Sequence, residues 1–150
     1  MTTSDRTLVD GPRAAAATIP LYCVNLPSSP DRKARMTRRF AELGLLDRVR
    51  FVPAVERISP QVDQHLARAG IEWAPSRRRA EIACLLSHLK ALAMFVEDTS
   101  AASAIVFEDD VLLHRDWHEQ LAGVLDNLEE GVPLCSLGYE VVSWEGFDWA

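Results

Sequence analysis

Alternating strand and helix patterns in this 150-residue chain predict an α/β fold, a mostly parallel sheet with flanking helices. Three stretches carry that expectation. IPLYCVNL (19–26) and AIVF (104–107) are apolar without alternation, as strands covered on both faces are. Residues 80–97, between them, place Ile82, Leu85, Leu86, Leu89, Leu92, Ala93 and Val96 on one helical face.

Residues 1–18 read as a disordered leader, and 19–150 as one domain. The first strand tolerates Pro20 only because it stands near the strand start. Ser29-Pro30 opens a helix, Ser as cap and Pro at the first helical position, with Met36, Phe40 and Leu43 on its inner face and Gly44 ending it. RVRFVPAV (48–55) reads as a second strand, and Ser59-Pro60 opens a short helix that ends near Gly70. IEWAPSRRR is a loop. In the helix over 80–97, Cys84, Ala91 and Phe95 add a second apolar stripe that includes His88, so packing on two sides is expected. After AIVF, Asp116 and Glu119 suit a capping box before a helix that buries Trp117, Leu121, Val124, Leu125 and Leu128. PLCSLGY (133–139) is the last strand expected, and no internal repeat is visible.

Composition and charge narrow the function. With 48% hydrophobic and 25% charged residues the chain is globular rather than disordered. A net charge of −6, with Arg77-Arg78-Arg79 as the only compact basic cluster, argues against nucleic-acid binding. Cys23, Cys84 and Cys135 are odd in number and off metal-ligand spacing, so reduced, buried core thiols are expected. No apolar run approaches the ~20 residues of a transmembrane helix. The N-terminus lacks a signal-peptide apolar core. The expected location is cytoplasmic, with peripheral contact at the inner membrane left open.

The chemistry concentrates at Glu108, Asp109 and Asp110, directly behind a buried strand. In open α/β sheets, ligands sit beyond the carboxyl ends of the strands. The loop Asn25–Arg32 falls there too. Adjacent carboxylates repel, and a divalent cation is the expected compensation. Mg2+ or Mn2+ needs only one or two protein carboxylates when a phosphate supplies other oxygens. In extended backbone Glu108 and Asp110 point the same way, toward one ligand, while Asp109 faces elsewhere.

VNLPSSPDR, EIACLLSHLKA and AIVFEDDVLL, in this order and spacing, resemble the family 25 glycosyltransferases, which include lipooligosaccharide-biosynthesis and collagen galactosyltransferase relatives. The resemblance covers about residues 19–140 and implies a GT-A-like (Rossmann-like) fold. By that resemblance EDD corresponds to the Asp-x-Asp signature, which holds Mn2+ on a nucleotide-sugar diphosphate. Asp110 would ligate the metal, and Glu108 would contact metal or ribose. Asn25, Asp31 and Arg32 would line the nucleotide pocket, and Ser87 and His88 match the family's Ser-His pair at the donor site. Ser87, off the main apolar face, is expected to be free for a polar contact.

Family members continue past the strand resembling PLCSLGY, so the fold is expected to be incomplete at the C-terminus, without an assignable general base. The aromatic segment with Trp144, Phe147 and Trp149 is then expected to promote self-association. The implied activity is metal-dependent transfer of a hexose, galactose from UDP-galactose, to a lipooligosaccharide or other surface glycan. The alternatives are a non-catalytic remnant that binds a nucleotide or a partner, and a receiver-like phospho-acceptor domain, in which the acidic pair usually follows the first strand rather than an internal one.

Overall fold

The computed structural model describes residues 18–98 and 101–129, together with 131, 134, 135 and 137. The expected leader (1–18, apart from Thr18) and the aromatic segment lie outside these residues, as does most of the expected strand at 133–139.

Three short strands, β1 (Leu21–Asn25), β2 (Val49–Pro53) and β3 (Ile105–Glu108), form a parallel sheet in the order β2-β1-β3. Cys23 stands opposite Phe51 on one side and Phe107 on the other. The central position of β1 explains its unalternating sequence: all five residues are buried.

The helices are α1 (Pro30–Glu42), α2 (Pro60–Arg68), α3 (Ser76–Glu97) and α4 (Trp117–Asn127), with one 3-10 turn at Leu46–Arg48. Strand pleating sends Leu21, Cys23, Ile105 and Phe107 to one face, where Met36 and Phe40 of α1 and Trp117 and Leu121 of α4 cover them. Phe107 lies at the centre of an aromatic run, its ring 5.6 Å from Phe40 and 5.4 Å from Trp117. Tyr22, Val24 and Val52 point to the opposite face and meet Ala91, Met94 and Phe95 of α3. A satellite core joins Val62 and Leu66 of α2 to Ile82 and Ala83 of α3. The α/β class expected from the sequence is therefore the one observed.

Local chemistry accounts for some element ends, although Ser29, expected to cap α1, makes no side-chain cap bond. Ser59 Oγ accepts from the Gln61 amide at 3.2 Å, the cap expected of it. Gly44 and Gly70 adopt φ of +66° and +70° just past α1 and α2, a left-handed conformation that costs glycine little.

Other expectations need correction. The helix expected over 80–97 begins at Ser76, so the three arginines are helical rather than looped. Arg77 and Arg78 reach Glu81 at 3.4 and 3.3 Å, and Arg79 reaches Asp63 at 2.7 Å. That helix is packed on one side, not two. Leu85, Leu89, Leu92 and Val96 are exposed, because the sheet and α2 meet the helix along Ile82, Ala83, Ser87 and Ala91, and no described element lies opposite the other stripe. The capping box at α4 does not form: the Asp116 side chain makes no cap bond, and its amide donates to His114 Nδ1. Val124 of that helix and Leu128 just after it are exposed. Of the three thiols only Cys23 is buried; Cys84 and Cys135 are exposed, and none forms a disulfide among the described residues.

Candidate functional site

β1 and β3 are neighbours in parallel register, Val24 opposite Glu108, so their carboxyl ends open at one place. The pleat sends the side chains at these ends to two faces. Asn25 continues the face of Leu21 and Cys23, toward α1, and Asp109 meets it there. Both are buried, at 6% and 5% exposure. Asn25 Nδ2 donates to Asp109 Oδ2 at 2.6 Å and to the Ser29 carbonyl at 3.3 Å. Arg32, in the first turn of α1, donates from Nη1 to Asp109 Oδ1 at 2.8 Å and holds Nη2 3.5 Å from Asp110 Oδ2. A buried carboxylate is tolerable only when paired and hydrogen-bonded, and Asp109 is both. The compensation expected from a cation thus comes, for two of the three acids, from Arg32.

Glu108 points the other way, to the α3 side. His88 Nε2 lies 3.3 Å from Glu108 Oε1, and the Cys84 thiol donates to the same oxygen at 3.9 Å. Cys84 and His88 are four residues apart, one helical turn, and therefore share a face of α3. One ligand atom from each of the three residues lies within 4.8 Å of the other two. Burial, then the charge of Glu108 and its hydrogen bond, then Asp110, push the Cys84 thiol upward. Glu108 and Asp110, expected to face one ligand, meet different partners in this state. β3 ends at Glu108 and a turn begins, so the two-residue alternation does not reach Asp110.

Asp31 is exposed in the first turn of α1, where a negative charge favours the helix dipole. Ser87 is not free for an outside contact: it is 2% exposed, accepts from the Val55 amide at 2.8 Å and donates to the Ala83 carbonyl at 2.6 Å. It anchors α3 to the segment after β2. From that segment Glu56 accepts from Ser28 Oγ at 2.7 Å, tying the loops after β1 and β2 together. Asn25, Arg32, His88, Glu108 and Asp110 are thus brought to one end of the sheet, and Ser87 supports them from below.

One residue of the site, Cys84, was not expected from the sequence. Asp109 faces away from Glu108 as expected, but its partners, 84 and 77 residues away, carry no local signal. Cys84 did carry one: its spacing of four from His88, hidden by the apolar neighbours that suggested a core thiol.

Comparison with known proteins bears on this arrangement. The family model for glycosyltransferase family 25, an LPS biosynthesis protein family, matches residues 18–148. A glycosyltransferase 25 family member from Aedes aegypti is 32% identical over 120 residues, 71% of this chain and 18% of that protein. Procollagen galactosyltransferase 2 from Homo sapiens is 29% identical over 119 residues, 73% of this chain and 18% of that protein. The chain spans 18% of the length of each of these relatives. No solved structure matches it. The chain belongs to glycosyltransferase family 25.

Proposed function

We propose that this member of glycosyltransferase family 25 binds a nucleotide-sugar donor, UDP-galactose or a close relative, at the carboxyl ends of β1 and β3, and serves transfer of the hexose to a glycan acceptor. One observation carries the reading. Residues from all three family-like motifs, Asn25 and Arg32, His88, and Glu108 and Asp110, converge at that end although they are far apart in sequence. The galactose donor is favoured by the name of the human relative, a procollagen galactosyltransferase. A lipooligosaccharide-type surface glycan as acceptor is favoured by the family's description as an LPS biosynthesis protein.

Two carboxylates of the kind a hard divalent cation takes stand at this end, Glu108 toward α3 and Asp110 beside Arg32. Glu108 and Asp110 present exposed carboxylates, 55% and 54% exposed at the side chain, on the open rim. Glu108 and Asp110 would hold Mn2+ or Mg2+, which would supply charge neutralisation to a departing diphosphate. Asp110 is placed to exchange its 3.5 Å contact with Arg32 for a metal–oxygen bond. Arg32 lines the wall for base and ribose, with Asp31 at its outer edge and Asn25 buried behind it, bonded to Asp109. Ser87 acts through Val55, fixing the loop that carries Glu56, rather than by touching the donor.

Calorimetric titration with UDP tests this. Binding is expected in Mn2+ and not in chelator, and Asp110→Asn should weaken the Mn2+-dependent binding about tenfold or more, an order of magnitude per 1.4 kcal/mol. Equal affinity with chelator, or in Asp110→Asn, contradicts the metal assignment. Donor hydrolysis and transfer to sugar acceptors then separate a transferase from a domain that only binds the nucleotide.

A further inference from the structure

We propose that Cys84, His88 and Glu108 form a site for a borderline divalent transition ion of the Zn2+ or Co2+ class, bound through thiolate, imidazole and carboxylate. The ligand types come first. Thiolate and imidazole select such ions over Mg2+ and Ca2+, and a three-ligand set with an open fourth position is the usual form of a reactive zinc centre.

Geometry agrees. A tetrahedral ion with bonds of about 2.0–2.1 Å to nitrogen and oxygen and about 2.3 Å to sulfur holds its N and O ligands ~3.3 Å apart and its S and O ligands ~3.5 Å apart. The His88–Glu108 separation is 3.3 Å and the Cys84–Glu108 separation 3.9 Å, so two of the three edges already approach those of a coordination polyhedron, and the third is within 4.8 Å. Cys84 and His88 sit one turn apart on a single rigid helix, and Glu108 is the last residue of a strand, so no ligand rides on a long loop. The His88 and Glu108 side chains are 35% and 55% exposed, which leaves an approach for the ion and a position for water or a substrate oxygen.

Charge supplies an independent reason. Asp109 and Asp110 share Arg32, whereas Glu108 has no lysine or arginine partner among the described residues. Its two contacts are a thiol that can lose a proton and an imidazole. On ion binding the Cys84 proton leaves to solvent and the thiolate, neutral imidazole and carboxylate coordinate. The site shares Glu108 with the donor-binding reading but needs neither nucleotide nor Asp110.

The test is titration of the full reduced chain with Co2+ alone, in a Cys135→Ser background that removes the other exposed thiol. One Co2+ per chain is expected, with a near-ultraviolet thiolate-to-cobalt charge-transfer band, intense visible bands of tetrahedral cobalt, and bleaching when Zn2+ is added. Cys84→Ala should abolish the charge-transfer band. His88→Gln and Glu108→Gln should each weaken binding by at least the about 10–100-fold that loss of an outer-shell partner costs a metal site. Circular dichroism checks that each variant is folded. A band that survives Cys84→Ala, or a folded parent chain that binds no Co2+ stoichiometrically, overturns the site. Mn2+-dependent UDP binding in a chain without the cobalt band sinks this proposal while leaving the donor reading intact.

Discussion

The two sides of the β1–β3 strand ends use the same raw material differently. On the α1 side a carboxylate is buried, paired with Arg32 and bonded to Asn25. On the α3 side the preceding carboxylate is exposed and, among the described residues, meets a thiol and an imidazole but no lysine or arginine. The difference arises because the backbone turns successive side chains to opposite faces at the end of a strand. One acid is thereby committed to holding the fold and its neighbour is left available to a ligand. Adjacent charges in sequence therefore need not share a function.

Three substitutions sharpen or break this contrast. The largest effect is expected from Asp109→Ala. Removing one partner of a buried pair costs about 3–5 kcal/mol, and the 42% exposure of the Arg32 side chain lets water recover part of it. A loss of about 2–3 kcal/mol in urea unfolding is expected, and a change below about 0.5 kcal/mol would remove the structural role of this acid. Ser87→Ala should cost about 1–2 kcal/mol, because the buried Val55 amide loses its acceptor. That result would locate the structural anchor of the α3 side at Ser87 rather than at Glu108.

The smallest effect concerns Cys23, behind the closed side. Burial, then the charges of Asp109 and Asp110, push its thiol up from 9.0 to about 12. The folded chain holds this proton more tightly than the unfolded one, so the stabilisation is complete below pH 9 and is lost as pH rises toward 12. Relative to Cys23→Ala, wild type should lose about 1 kcal/mol by about pH 10. Parallel pH dependence of the two in urea unfolding would contradict the burial of this thiol.

Much of the frame was legible in the sequence. The unalternating run of β1 announced burial on both faces, whereas β3, at the edge of the described sheet, is fully buried only at Ile105 and Phe107. Ser59-Pro60 and Gly44 marked helix ends through local chemistry alone. The proposed site lies where β1 and β3 stop. Contacts distant in the chain were not legible. That Asp109 is the clamped acid depends on α1 bringing Arg32 across the end of β3. That α3 leaves Leu85, Leu89, Leu92 and Val96 exposed depends on which elements stand beside it, which periodicity does not encode. Cys84 was misplaced for a related reason: apolar neighbours in sequence are not neighbours on a helix, and its turn-mate is His88.

The contrast between the two acids is tested most directly by urea unfolding of Glu108→Gln in chelator, run beside Asp109→Ala. Glu108 is exposed and unpaired with any described lysine or arginine, so its substitution should leave stability within about 0.5 kcal/mol of wild type while Asp109→Ala loses several times that. Comparable losses in both variants would mean that the triplet is a single structural cap, and the division into a fold-holding acid and a ligand-holding acid would be wrong.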